Sequence, residues 1–191
     1  MHELEPFYRW QNVYDAFEDT RSPFFEAVFS PEDDLNTVYN YVLHPDWDYF
    51  GSETLYLKLL YVDYDMRFCV IEMIGEWNDT LHNDVMHLKR NIIDPLIQEG
   101  IHKFILIGEN VLNFHGLEDD YYQEWFEDVE DGWIVAMNFR EFVHQEWEKY
   151  RLDYYLSYGG NLDMENWRTF SAAQLFQLTD GLMQRRLEPP A

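Results

Sequence analysis

The chain has 191 residues, of which 47% are hydrophobic and 18% aromatic, and this is enough apolar material for the core of one domain. Its 37 acidic residues against 13 Lys and Arg give a net charge of −24, which argues against nucleic acids and anionic membranes as partners, because both require a cationic surface. There is no signal-like start, no run of the roughly 18 apolar residues that a membrane span needs and only one cysteine, Cys69, so we expect a soluble cytoplasmic protein without a disulfide.

Residues 1–50 form an aromatic-rich arm that Pro6, Pro23, Pro31 and Pro45 divide into short pieces. Within it, the pattern of residues 37–43 (TVYNYVL) predicts a strand. Two interpretations of the arm remain open. It covers the exposed face of a sheet, or it is an interface to a protein partner or a second copy of the chain, because aromatic residues also concentrate at interfaces.

Residues 54–187 carry the pattern of an α/β core. Residues 55–62 and 68–74 are β-rich runs separated by a short polar segment, which predicts an antiparallel hairpin with Cys69 on its buried face. A helix is predicted next, capped by Asp79 or Thr80 and kinked at residues 91–94 by Pro95, with Asp94 capping its last turn and Gly100 ending it. Its expected apolar stripe consists of Leu81, Val85, Leu88, Ile92 and Leu96.

The apolar run at residues 104–107 predicts a central strand buried on both faces, followed by a polar loop at residues 109–116 (ENVLNFHG). A second helix is predicted at residues 120–129, a strand at 133–137, and then another helix. A short edge strand is expected at residues 153–158, and a Ser171–Gln174 capping box begins the last helix. The side chains expected to be buried in these helices are Tyr122, Trp125, Phe126, Val129, Phe139, Phe142, Val143, Tyr150, Leu175, Leu178 and Leu182.

The predicted fold class is therefore α/β, with a mixed sheet of about five or six strands in which a β-hairpin is followed by a βαβαβ unit. Right-handed crossovers place the helices after Asp79 and Asp120 on one face. The arm and the last helix are left to cover the other face.

Two segments, IEMIGEWND and KFILIGENV, each join an apolar strand to a glycine and an acidic turn. In this arrangement, residues 54–150 resemble the STAS-like domains of bacterial anti-sigma-factor antagonists and the related SpoIIAA-like group. The resemblance implies a STAS-like fold and a role in protein–protein contact; some such domains bind small or apolar ligands. The antagonists carry a phosphorylatable serine after the strand that corresponds to residues 104–107, but this chain has no Ser or Thr between Thr80 and Ser157, so no functional residue of the family is carried over.

The sequence contains none of the serine hydrolase, phosphate-binding, dinucleotide-binding or zinc protease motifs, and we expect no cofactor. Two groups of side chains offer nitrogen and oxygen ligands for a metal: His82, Asp84 and His87, and His115 with Asp119, Asp120 and Glu124. His82 and His87 are five residues apart and do not share a helical face. We therefore assign these residues surface and capping roles and expect no metal site.

Polar side chains follow three predicted parallel strands, and the carboxyl ends of such strands are where open α/β sheets bind ligands. We therefore predict a ligand-binding cleft there, in which Arg140 either clamps an anion or is neutralised by Glu76 or Glu109. Capping and turn roles are the alternative. The predicted ligand-binding residues are Glu76, Asn78, Asp79, Glu109, Asn110, Asn113, Asn138 and Arg140, with Glu141 beside them.

The function predicted from these features is a non-enzymatic, STAS-like binding or protein-interaction domain. Two alternatives remain open. One is a small hydrolase-like enzyme that uses Glu76, Asp79, Glu109 and Arg140 for acid–base chemistry. The other is a carrier of apolar ligands with a cavity beneath the aromatic arm. An acidic surface that serves solubility alone is also consistent with the charge.

Overall fold

A computed structural model describes residues 4–26, 37–38 and 41–187. Five strands form one mixed sheet in the order β3-β4-β5-β6-β7. The first pair is antiparallel and the remaining pairs are parallel. The strands are β3 (Leu55–Asp63), β4 (Phe68–Asn78), β5 (Lys103–His115), β6 (Trp133–Met137) and β7 (Ser157–Tyr158), and a separate antiparallel pair is formed by β1 (Thr37–Val38) and β2 (Tyr41–Val42).

Helices alternate with the parallel strands, as the sequence pattern predicted. The α-helices are α1 (Asp84–Leu88), α2 (Asp94–Gln98), α3 (Asp120–Asp128), α4 (Glu141–Lys149) and α5 (Ala172–Leu187), with a π-helical turn at Lys89–Ile93 and 3-10 turns at Leu152–Tyr154, Gly160–Leu162 and Trp167–Thr169. A hairpin followed by βαβαβ with β5 in the middle is the predicted STAS-like arrangement, so the fold class is confirmed. No helix among the described residues is both long and apolar enough to cross a membrane.

The sheet separates two apolar layers because neighbouring side chains of a strand point to opposite faces. On one face, Cys69 and Ile71 of β4 and Leu106 of β5 pack in the same cluster as side chains from α1 to α4. On the other face, Val70 and Ile105 share a cluster with side chains of the arm and of α5. The predicted placement of the helices, and the burial of Cys69, are therefore confirmed.

The start of the arm packs against the second face through Phe7 and Trp10, whereas Ala16 and Phe24 further along the arm lie in the first cluster. Phe7 and Trp10 meet edge to face, with ring centroids 5.1 Å apart, and both also contact the ring of Trp167. The indole nitrogen of Trp10 donates to the carbonyl of Phe170 at 3.2 Å. Aromatic pairs of this kind stabilise the folded state by more than the burial of their apolar area alone. Here they join the start of the chain to its last third.

The prediction of a loop at residues 109–116 is wrong up to His115, because β5 continues to that residue. It stays paired with β4, which extends to Asn78, and the register shifts where Gly108 and Glu109 are inserted. Val111 and Phe114 are buried and hold the extension against the core, although the exposed Leu112 and the polar Asn113 separate them. A side chain at Gly108 would lie about 2.3 Å from the ring of Phe139, so only glycine fits this position.

Other local predictions also need correction. Thr37 pairs with Val42 and Val38 with Tyr41, so residues 37–43 contain two paired strands rather than one; residues 39–40 lie outside the described chain. The first helix begins at Asp84, and its N-cap residue Asn83 makes no side-chain capping bond, but Asp79 accepts the first-turn N–H of Val85, as the sequence predicted. Four side chains predicted to be buried are instead 43–77% exposed, and they are Leu81, Phe126, Phe142 and Leu178.

The predicted kink before Pro95 takes the form of a π-helical turn. Its last bond runs from the N–H of Asp94 to the carbonyl of Lys89, one residue further back than in an α-helix. Pro95 then lies in the first turn of α2, where its missing N–H needs no partner. Asp94 makes no capping bond, contrary to expectation, and instead contacts the side chains of Lys89 and Arg90.

Candidate functional site

The structure distributes the predicted site residues over separate places instead of collecting them in one cleft. The extension of β4 and β5 is the reason, because it moves the carboxyl ends of these strands away from the end of β6. Glu76, Asn78 and Asn113 lie at the far end of the extension, whereas Glu109 lies beside Asn138. Asp79 is buried beneath the helices, and Arg140 is exposed.

At the far end of the extension, Glu76 and His115 form a half-exposed pair. Glu76 Oε1 lies 3.2 Å from His115 Nε2 and also accepts the amide of Asn78 at 3.2 Å. The amide nitrogen of Asn113 lies 2.9 Å from the same histidine nitrogen. Because Nε2 carries either a proton or a lone pair, it either donates to the carboxylate of Glu76 or accepts from the amide of Asn113.

Glu109 and Asn138 meet in a second network, together with two residues that the sequence did not indicate. Glu109 Oε1 accepts the Asn138 amide at 3.0 Å and the Trp167 indole N–H at 2.7 Å. Its Oε2 accepts Arg168 Nη1 at 2.6 Å. Asn138 further exchanges bonds with the backbone N–H and carbonyl of Met164. The three donors on its carboxylate hold Glu109 in place.

Arg168 also reaches a carboxylate buried in the sheet. Its Nη2 lies 3.2 Å from Glu72 Oε1, and the backbone N–H of Phe7 donates to Glu72 Oε2 at 2.7 Å. Glu72 is only 1% exposed, and burial raises the pKa of its carboxyl to about 7, while the Phe7 N–H and Arg168 act in the opposite direction. One guanidinium thus joins β4, β5 and, through Glu72, the arm.

The sequence carried one signal for this network. Glu72 lies between apolar residues on both sides in β4, and a carboxylate that a sheet buries needs a donor or a cation. The partner was not visible, because Arg168 lies 96 residues away in a segment without helix or strand periodicity. Arg140 was predicted as the guanidinium beside Glu109, but that position is occupied by Arg168.

Asp79 lies beneath the helices and is 3% exposed. Its carboxylate accepts the indole N–H of Trp77 at 3.0 Å, the backbone N–H of Val85 at 2.8 Å and the hydroxyl of Tyr122 at 2.6 Å. Burial raises its pKa to about 7, although these three donors lower it. Asp79 therefore joins the end of β4 to α1 and α3, and its oxygens are enclosed by the fold.

Arg140 and Asn110 lie outside these networks. Arg140 is exposed at the residue before α4 and makes no ion pair with a carboxylate of the described residues. Asn110 is half-buried in β5 opposite Ile74. Glu141 is exposed in the first turn of α4, where a carboxylate interacts favourably with the helix dipole.

The metal-ligand combinations considered in the sequence do not assemble within the described chain. Two other groups place three ligand atoms within 4.8 Å of one another: His102 with Glu130 and Asp131, and Asp94 with Glu124 and Asp128. The ammonium of Lys89 contacts all three carboxylates of the second group, so a side chain already supplies the cation there. The first group is largely exposed, and exposed acidic groups of this kind are common without a metal.

Comparisons with known proteins add an arrangement-level similarity. No model of a protein family matches the chain, and no curated protein matches it. Among solved structures, the chain is similar to the Bacillus cell fate determinant SpoIIAA in its phosphorylated form, with 14% identity and a TM-score of 0.37, over 55% of this chain and 91% of that one. The weak resemblance stated from the sequence is thus found again, and no functional conclusion is drawn from it.

Proposed function

We propose that the protein is a non-enzymatic binding domain whose partner is a basic segment of another protein. The observation that supports this proposal is the excess of carboxylates over basic side chains. The chain has 37 acidic residues and 13 Lys and Arg. Seven of these bases already pair with its own carboxylates: Arg21, Lys58, Lys89, Arg90, Lys103, Lys149 and Arg168. The remaining surface attracts cations and repels anions.

The groups best suited to acid–base chemistry support a binding role rather than catalysis. The carboxylate of Glu109 accepts three donors from its own chain, and so does that of Asp79. Cys69 is fully buried, and burial raises the pKa of its thiol, so little of the reactive thiolate forms. These side chains stabilise the fold.

The net charge also favours a basic protein partner over a second copy of the chain. Association of two copies would bring together two chains with a net charge of −24, which mutual repulsion opposes. We therefore propose a basic protein partner before a homodimer. With Cys69 as the only cysteine, we propose that this contact takes place in the cytoplasm.

Binding of a fluorescent octa-arginine peptide to the full chain tests the proposal, with octa-glutamate as the matched control. We expect saturable binding of octa-arginine that weakens as salt rises from about 50 to 200 mM, because the salt screens the interaction over roughly a Debye length. Octa-glutamate should not bind. Equal binding of both peptides, or none of octa-arginine at the lower salt concentration, would contradict the proposal.

A small hydrolase-like enzyme is the second candidate, and the Glu76–His115 pair is the observation that favours it. The two side chains are 27% and 48% exposed, so a substrate can reach them, and a carboxylate-bound imidazole is suited to act as a general base. Hydrolysis of a panel of activated esters and phosphate esters tests this candidate. The hydrolase candidate requires that the chain hydrolyses one of these esters, that His115→Gln abolishes this activity and that Arg140→Ala leaves it unchanged.

A further inference from the structure

A cavity of about 330 Å³ lies between the aromatic arm and the edge strand β3. The arm supplies one wall and β3 another, and the loop before Trp47 completes the lining. Aromatic and aliphatic side chains of the lining include Tyr14, Phe17 and Leu59. Its charged residues are Asp15, Asp46, Asp48 and Lys58.

Asp48 is the most buried carboxylate of this cavity. Its backbone exchanges two hydrogen bonds with Leu57 of β3, at 2.7 and 3.2 Å, which fix the residue on the edge of the sheet. Its side chain is 5% exposed, and Oδ1 lies 3.2 Å from the ammonium of Lys58. Oδ2 is buried and finds no hydrogen-bond donor in the described part of the chain. A buried carboxylate oxygen without a donor is costly, so a further donor to Oδ2 would stabilise this site.

The electrostatic balance indicates which partner is missing. The pKa of Asp48 is raised to about 6, mainly by burial and also by Asp46 and Asp15, while Lys58 acts in the opposite direction. The lining of the cavity thus carries three carboxylates and one ammonium group, and that ammonium pairs with Asp48. Lys58 Nζ also lies 5.3 Å from the ring centroid of Phe17, so the ring and Asp48 both attract the same charge. A second cation would complete the site.

We propose that this cavity binds the guanidinium of an arginine side chain from the basic partner, with Asp48 as its main acceptor and Asp15 and Asp46 at its opening. This inference rests on the function proposed above. A guanidinium is planar and can donate to a carboxylate while stacking on aromatic rings, and it is less strongly hydrated than an ammonium. A guanidinium therefore loses less hydration free energy than an ammonium when it enters a partly buried site between Asp48 and the rings of the arm.

Titration of the full chain with N-acetyl-arginine amide, followed calorimetrically, tests this site. We expect saturable binding that is several-fold tighter than that of N-acetyl-lysine amide or spermidine. Asp48→Asn should weaken it about tenfold, the scale of one lost charge-assisted hydrogen bond. Asp131→Asn removes the same charge from an exposed turn far along the chain and should leave the affinity unchanged.

Two further variants keep the test decisive if Asp48→Asn does not fold. Asp46 is exposed, so Asp46→Asn should fold normally and weaken binding a few-fold. Lys58→Met removes the internal competitor and should tighten binding. Unchanged or weaker binding in Lys58→Met, equal losses in Asp48→Asn and Asp131→Asn, or tighter binding of the lysine probe or spermidine would overturn the inference.

The outcome also separates this site from the more general function. If octa-arginine binds the wild-type chain and Asp48→Asn equally well, the cavity is not the arginine site, although the chain still binds basic segments. If the wild-type chain does not bind octa-arginine, both proposals fail.

Discussion

Glu72 lies in the middle of β4 and depends on two donors from distant parts of the chain, the backbone of Phe7 and the side chain of Arg168. Arg168 in turn shares its guanidinium with Glu109. Removing one member of a buried ionic network leaves the others without compensation, and this costs more than the intact network contributes to stability. Arg168 is 41% exposed, so water screens part of that cost.

Substitution of this arginine gives a direct prediction. Arg168→Met should lower the free energy of unfolding by about 1–3 kcal/mol, because Glu72 and Glu109 lose their cation. Arg140→Met removes the same charge from an exposed position and should change stability by less than about 0.5 kcal/mol. Urea denaturation measures both. Equal effects of the two substitutions would show that the network does not stabilise the fold.

A pH prediction follows from Asp79. Its pKa is about 7 in the folded chain and 3.8 ordinarily, so between these values the folded state holds more protons than the unfolded state. The contribution of Asp79 to the free energy of unfolding is therefore fully present below pH 3.8 and is lost as the pH rises to 7. One proton of difference changes the free energy of unfolding by about 1.4 kcal/mol per pH unit.

Asp79→Asn isolates this effect from the other carboxylates, some of which act in the opposite direction. The free energy of unfolding of this variant should rise relative to that of the wild-type chain between pH 4 and 7, whatever the constant cost of the substitution. Asp131→Asn is the control for the loss of one charge. If the difference in unfolding free energy between the wild-type chain and Asp79→Asn stays constant across this range, the raised pKa is not that of Asp79.

At the scale of elements, the central strands were predictable where every side chain is apolar. The run at residues 104–107 and the strand at Trp133–Met137 have buried side chains on both faces, so their pattern determined a central parallel position. The outer half of β5 was not predictable in this way. Glu109, Asn110 and Asn113 have the composition of a loop, and only their pairing with β4 makes them a strand.

The candidate site could be predicted only in part for the same reason. Glu109 and Asn138 follow neighbouring apolar strands, and the structure joins them. The extension of β5 separates Glu76 and Asn113 from that pair. Arg168 and Trp167 come from a 3-10 turn that returns to the sheet, and no local pattern indicates such a return.

The arm provides the test at this scale, through two neighbouring aromatic residues. Trp10 is 6% exposed and Tyr8 is 61% exposed. Trp10→Ala should cost about 3–5 kcal/mol, the usual cost of truncating a large buried aromatic side chain, whereas Tyr8→Ala should cost less than about 0.5 kcal/mol. Thermal unfolding measures both. An unchanged melting temperature in Trp10→Ala would indicate that the arm is a detachable interaction segment.

Removal of residues 1–26 extends this test. Loss of Phe7 and Trp10 uncovers apolar side chains of the second cluster, and a large exposed apolar surface promotes aggregation. We expect the shortened chain to bind a hydrophobic dye and to aggregate on heating. A shortened chain that remains monomeric with an unchanged melting temperature would contradict the packing of the arm on its own sheet.

At the scale of the whole molecule, the chain combines a strongly negative charge with a cavity in which one oxygen of the buried Asp48 carboxylate, Oδ2, lacks a donor among the described residues. The first property attracts basic partners over a distance set by the salt concentration. The cavity provides a specific binding site for one cationic side chain. A specific binding domain needs both the negative charge and the cavity, because the electrostatic attraction of the negative charge alone does not distinguish one basic partner from another.

Amide chemical-shift mapping of the full chain during titration with octa-arginine tests this account most directly. The account predicts that the largest shifts cluster at the lining of the cavity, around Tyr14, Asp46, Asp48 and Lys58, and that Asp48→Asn removes them. Shifts spread evenly over exposed carboxylates, or concentrated at Glu76 and His115, would contradict it.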